Sequence, residues 1–179
     1  MDAQIRKGHE REDVIAFIYA YERATGVNLT IEEECENPDF ICARPDGSLI
    51  GVELTAVRRS PQAALREAIF DRRDEMDVGD ALDELGRLIL QKSQKIKGYK
   101  TESNILVLVS CEADFGPLCH LALAIPPEDF KASGFDEIWI GDYTGLRESA
   151  HRGIVLLGLH PLEARGVTER PDWDVKPFG

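Results

Sequence analysis

Two carboxylates, Asp39 and Glu53, stand near the ends of an otherwise largely apolar stretch from Asn37 to Thr55. Pro45-Asp46-Gly47 near its centre suits a three-residue hairpin loop. Proline pre-sets the first turn position, Asp tolerates the second, and Gly takes the left-handed one. With that loop, Arg44 faces Ser48 and the ladder runs Cys42 to Ile50, Ile41 to Gly51, Phe40 to Val52 and Asp39 to Glu53. The two acids then share one face, with β-carbons roughly 5 Å apart. A two-residue loop would slip the register and send them to opposite faces. Paired acids among apolar neighbours repel unless a positive charge lies between them, and oxygen ligands suit magnesium or manganese. The other reading of the pattern is two acids at a solvated sheet edge.

The elements around this hairpin follow from periodicity. From about Glu12 to Thr25, Val14, Ile15, Phe17, Ile18 and Tyr21 give a helical stripe, after a loose polar start over residues 1–10. Glu22 lies four residues after Ile18 and seven after Ile15, on the buried side of that stripe, where an acid either meets a partner or snorkels to water. Gly26-Val27-Asn28 ends the helix. Leu29 to Cys35 reads as an exposed or edge strand rich in acids. Ser60-Pro61 opens a helix, and after Asp77-Val78-Gly79 a second helix follows, capped by Asp80 and stopping near Gly98.

Leu82, Leu85, Leu88, Ile89, Ile96 and Tyr99 mark the inward face of that second helix. Lys92 stands in the middle of this apolar stripe, and Lys95 lies at its edge. A lysine so placed either snorkels or meets a buried negative charge. Asn104 to Ser110 is a continuous apolar run, the pattern of a strand buried on both faces. Leu118 to Ile125 is open between helix and strand, while Phe135 to Asp142 and Gly153 to Leu159 read as strands. The tail from Arg165, with Pro171, Trp173 and Pro177, is expected to be extended.

Size and charge bound the remaining possibilities. At 179 residues the chain is long enough for one domain with a proper core, expected to span residues 1–179 with its tail. Its composition, 43% hydrophobic and 30% charged, is that of an ordinary globular protein. Cys35, Cys42, Cys111 and Cys119 show no CxxC spacing and are expected as thiols in a reducing compartment. No signal peptide or membrane-length apolar run is visible, so a cytoplasmic protein is expected. A net charge of −12 argues against a general nucleic-acid coat. The charge is uneven, however. Residues 67–84 hold eight acids, whereas residues 85–101 hold Arg87, Lys92, Lys95, Lys97 and Lys100 with no acid.

Pro38-Asp39, a short spacer and Glu53-Leu54-Thr55 at the end of an apolar strand resemble the PD-(D/E)xK nuclease superfamily, over residues 10–110 in order of elements. The resemblance implies a three-layer restriction-endonuclease-like α/β core, a mixed central sheet flanked by helices. It implies Mg2+ or Mn2+ held by Asp39, Glu53 and the backbone carbonyl of Leu54, with Glu22 matching the first-helix glutamate that often completes such a site. Thr55 stands where the superfamily carries lysine and cannot supply its positive charge. In members without that lysine, a residue from the following helix takes its place; Lys92 matches first and Lys95 second.

Two functional classes follow. One is a metal-dependent nuclease acting on DNA, ahead of RNA, with Lys95, Lys97 and Lys100 guiding the backbone past Asp39, Glu53, Thr55 and Lys92. The other is a nuclease-fold binding module without cleavage, such as a defence or immunity-type accessory, whose acidic surface engages a protein partner. No membrane partner is expected, and a homodimer stays open. A small-molecule enzyme lacks a phosphate-binding glycine loop or a nucleophile–histidine constellation to support it.

Overall fold

A computed structural model of the chain describes residues 3–57, 78–111, 115–148, 153–166 and 168–169. The helix expected from Ser60-Pro61 and the tail from residue 170 lie outside the described residues. The first helix, α1, runs Ala3–Thr25 and buries Val14, Phe17, Ile18 and Tyr21. It begins earlier than the apolar periodicity predicts, because residues 3–11 continue the helix before the stripe starts. Ile15 is 38% exposed, so the buried stripe is the set 14, 17, 18, 21. The helix stops at Gly26, whose φ of 74° few other residues adopt; its N–H donates to Glu22 O at 2.7 Å.

Three strands follow, β1 (Thr30–Glu34), β2 (Phe40–Ala43) and β3 (Leu49–Val57), paired antiparallel. The hairpin has the expected register, Phe40 opposite Val52, Ile41 opposite Gly51 and Cys42 opposite Ile50. Its loop closes through Arg44 N to Ser48 O and Gly47 N to Arg44 O, each 2.9 Å, with Gly47 at φ 83°. Asp46 Oδ1 accepts from the Ser48 N–H and hydroxyl, the local bonding that favours Asp in such a turn. Strand β1 is the sheet edge, with Glu32, Glu33 and Glu34 exposed and a register shift between Ile31 and Glu33. Acids and an irregular register are common ways to blunt an edge against further pairing.

The helix α2 (Val78–Ser93) is followed by a 3-10 turn (Ile96–Gly98) and by β4 (Ser103–Ser110), which lies parallel to β3. Helix α2 starts two residues before the cap expected at Asp80, which sits instead in its first turn, where the dipole favours an acid. Residues 118–125, ambiguous in the sequence, belong mostly to α3 (Phe115–Ala124), and Pro127 begins the short α4 (Pro127–Lys131). Strand β5 (Glu137–Asp142) is parallel to β4. After α5 (Thr144–Glu148), β6 (Val155–His160) and β7 (Thr168–Glu169) return antiparallel.

The sheet order is β1 to β7 in sequence. The protein is thus α/β, with a mixed open sheet between helical layers. Strand alternation divides the core in two. Val52, Leu54, Ile105, Val107 and Trp139 face α1, whereas Val57, Leu106, Leu108, Ile138 and Ile140 face α2 and α3. All eight residues of β4 but the first are buried, as expected of a central strand. No described helix is long and apolar enough to cross a membrane. All four cysteines are free thiols.

Candidate functional site

Alternation along β3 sends Glu53 to the α2 side, between Val52 and Leu54, which face α1. Glu53 is 2% exposed. On α2, Lys92 falls seven residues after Leu85 and three after Ile89, so it faces the same interior. Its ammonium Nζ donates to Glu53 Oε1, with the lysine side chain 16% exposed. This is the buried negative charge that the position of Lys92 called for.

Asp39 immediately precedes β2. Its Oδ2 accepts the Leu54 N–H at 2.8 Å, so the side chain reaches across to β3. Burial, and then the neighbouring Glu53 charge, push the Asp39 carboxyl up to about 6; the Leu54 N–H and Lys92 oppose the rise, and Glu10 adds to it. Two acids and one lysine thus share a largely buried site. The Tyr99 hydroxyl lies there too, held above its ordinary range by burial and by Glu53.

A buried ion pair is a weak stabilising device, since apolar replacement of similar volume is often neutral or stabilising by about 1–4 kcal/mol. Full burial of one Leu-sized side chain contributes about 1.5–3 kcal/mol without any desolvated charge. A second carboxylate beside the pair makes the arrangement poorer still as a structural device. Clusters of this kind, with one member strongly perturbed, are functional candidates on physical grounds.

Two further acids, half-buried Glu137 and buried Asp13, have different surroundings. Glu137 accepts from Tyr21 at 3.0 Å, Trp139 Nε1 at 2.9 Å and Arg44 at 3.4 Å, a network joining α1, the hairpin and β5. Asp13 accepts from Arg147 at 2.7 Å, tying α1 to α5.

The remaining sequence candidates are not all gathered at the pair. Glu22 bonds to Asn28 Nδ2 at 3.0 Å at the C-terminal end of α1. Of the two residues that placed it on the buried stripe, Ile18 is buried and Ile15 is exposed, and Glu22 is itself half-buried. The α1 acid whose charge acts on Asp39 is Glu10. Twelve residues separate the two acids, about 18 Å along the helix axis. Glu10 precedes Val14 by four residues and Phe17 by seven, so the true stripe, extended backwards, contains it. The polar character of residues 1–10 hides that signal.

Thr55 is half-buried opposite Leu108. Lys95 and Lys97 are exposed, and Lys100 meets Glu33 at 3.4 Å. The sequence pattern gives Tyr99 only as part of an apolar face; its hydroxyl at the acid pair adds chemistry that periodicity does not carry.

Glu53 Oε2 is buried with no hydrogen-bond partner among the described residues. Such an oxygen beside a second carboxylate fits a hard divalent cation. Among the described residues, no three His, Cys, Asp or Glu side chains gather as a metal-holding group. An ion here would have two carboxylates and would need backbone oxygen and water to complete its shell, as magnesium commonly does. No family model matches the chain, and neither does any curated protein or solved structure.

Proposed function

We propose that this protein is a divalent-metal-dependent phosphodiesterase of restriction-endonuclease-like (PD-(D/E)xK) type, acting on nucleic acid, DNA ahead of RNA. The observation that carries the reading is Lys92 on the Glu53 carboxylate beside Asp39. This cation from the following helix meets β3 on the face that Thr55 also takes by alternation, two residues beyond Glu53, and Thr55 is the position at which the superfamily carries its lysine. The order of α1, an antiparallel β1–β2–β3 meander and a parallel β4 supports the same reading.

In this reading Asp39 and Glu53 would hold Mg2+ or Mn2+, with the Leu54 carbonyl available as a further ligand. The ion supplies a polarised phosphate and a water of lowered pKa. The Leu54 N–H holds Asp39 by its Oδ2, and Oδ1 is the oxygen that would face the ion. Lys92 orients the attacking water by donating a hydrogen bond and offsets the charge that gathers on the phosphate oxygens. Lys95 and Lys97 offer exposed cations to a phosphate backbone one turn beyond. Calorimetric titration of Mn2+ into the wild type and into Glu53→Ala tests the site. Saturable binding that disappears in the variant, followed by metal-dependent cleavage of DNA or RNA, is the expected result. No binding in either protein would overturn it.

The acidic edge of the sheet favours a second reading. Glu32, Glu33, Glu34 and Glu36 are exposed along and just beyond β1. In that reading the chain is a binding module without cleavage, whose acidic edge recruits a basic protein. A metal-independent complex weakened by neutralising these acids would support it. Retention of the complex by such a variant would exclude this edge.

A further inference from the structure

Among the described residues, four buried side-chain atoms lack a hydrogen-bond partner: Asp13 Oδ1, Glu53 Oε2, Tyr99 Oη and His160 Nδ1. Two of them, Glu53 Oε2 and Tyr99 Oη, belong to one site. One is a carboxylate acceptor and the other a phenolic donor, so each is what the other lacks.

We infer that Tyr99 is a positioning residue for Glu53: its hydroxyl donates to Oε2 while Lys92 donates to Oε1, fixing the carboxylate plane against Asp39. The inference rests on the proposed metal reading for its purpose, though not for the contact itself. Tyr99 packs against the α2-side core, the side to which β3 turns Glu53, and after burial the Glu53 charge is what acts most on its hydroxyl. The phenol is anchored at both ends of the residue. Its ring packs on Phe135 with centroids 6.4 Å apart, and its backbone N–H donates to Ile96 O at 2.9 Å in the 3-10 turn.

Leaving a buried donor and a buried acceptor both unpaired costs about 1–3 kcal/mol for each group, and a small rotation of the hydroxyl or carboxylate removes both penalties. A carboxylate has about four lone-pair sites. Two taken by Tyr99 and Lys92 leave two for an ion. Tyr99 also gives Glu53 a fixed partner in any state in which Lys92 turns away from it toward a substrate water. Its neutral hydroxyl does so without adding a charge that would repel the ion.

The test combines proton NMR of the metal-free protein with Mn2+ calorimetry on wild type, Tyr99→Phe and Glu53→Gln. Phenylalanine keeps the ring packing and removes only the hydroxyl. The expected result is a slowly exchanging tyrosine hydroxyl proton in the wild type, absent in Tyr99→Phe and displaced in Glu53→Gln. Mn2+ affinity should then fall about 10-fold in Tyr99→Phe, the scale of losing a partner that orients a ligand. The absence of such a proton, or its indifference to Glu53→Gln, would overturn the contact. Equal Mn2+ affinity in wild type and Tyr99→Phe would overturn the positioning role. A hydroxyl signal that responds to Glu53→Gln in a protein that takes up no Mn2+ would support the contact and count against the metal reading alone.

Discussion

Lys92 in the last turn of α2 donates to Glu53 in the middle of β3, a contact spanning 39 residues of sequence. It joins the helical layer to the sheet at a point where both are polar. Removing the lysine leaves a buried carboxylate without its counter-charge. Lys92→Met should therefore lower the stability of the metal-free protein by about 3 kcal/mol. The double variant Lys92→Met/Glu53→Gln should recover much of that loss, a coupling that chemical denaturation reads as non-additivity. On the proposed function, Mn2+ should stabilise Lys92→Met more than it stabilises the wild type, because the ion replaces the missing charge. Cleavage should be lost in the same variant. Additive stability effects would show that the pair is not energetically coupled.

Asp39 sets a pH dependence whose sign follows from its environment. Its carboxyl is raised to about 6 in the folded protein from an ordinary value of 3.8. Between those values the folded state holds more protons than the unfolded one, so stability falls as pH rises through the window. An asparagine in its place would accept the Leu54 N–H without a charge. Thermal melts of wild type and Asp39→Asn from pH 4 to pH 7 should diverge as pH rises, with the wild type losing about 1–2 kcal/mol relative to the variant. Metal reverses the preference, because a ligating carboxylate must be deprotonated. Mn2+ affinity of the wild type should weaken as pH falls below about 6, measured by calorimetry at constant ionic strength.

The two acids of α1 separate a sequence argument from a structural one. Glu10 acts on Asp39, whereas Glu22 is bonded to Asn28 at the far end of the helix. Glu10→Gln should weaken Mn2+ binding by about 2–5-fold through the lost negative charge, an effect that salt should reduce. Glu22→Gln should leave the affinity unchanged. A larger effect at Glu22 would return the first-helix role to the residue named by the sequence pattern.

These contrasts follow what the sequence could carry. The register of the hairpin from Phe40 to Ala43 was legible to the single residue because turn chemistry fixes register. Lys92 was legible because a charge inside a helical stripe is a local anomaly. Glu22 rested in part on Ile15, which is apolar but exposed, so including it rotates the apparent stripe. Apolar surface is common enough that one such residue carries little weight. The choice of helix for residues 118–124 depended on α3 crossing between the parallel strands β4 and β5, which is tertiary information. The approach of the Tyr99 hydroxyl to Glu53 belongs to the same class, since nothing local distinguishes it from a packed aromatic ring.

Gly51 offers a test of how tightly the hairpin is held beneath the site. A β-carbon there would lie 2.4 Å from Asn104 Oδ1, 2.5 Å from Thr101 Oγ1 and 2.7 Å from Pro38 Cγ. Thr101 and Asn104 are themselves hydrogen-bonded to each other at 2.7 Å, so they cannot part without breaking that bond. Pro38 precedes Asp39 directly, so the remaining route of relief is to push the acid off its place. Gly51→Ala should lower stability by about 1–3 kcal/mol, the usual scale of overpacking. It should also weaken Mn2+ binding although no ligand is changed. Gly47→Ala, at an open turn position with nothing near its β-carbon, controls for backbone effects alone. It should cost stability through its positive φ while leaving metal affinity intact. Equal effects of the two variants on affinity would show that the site does not depend on the packing under Pro38.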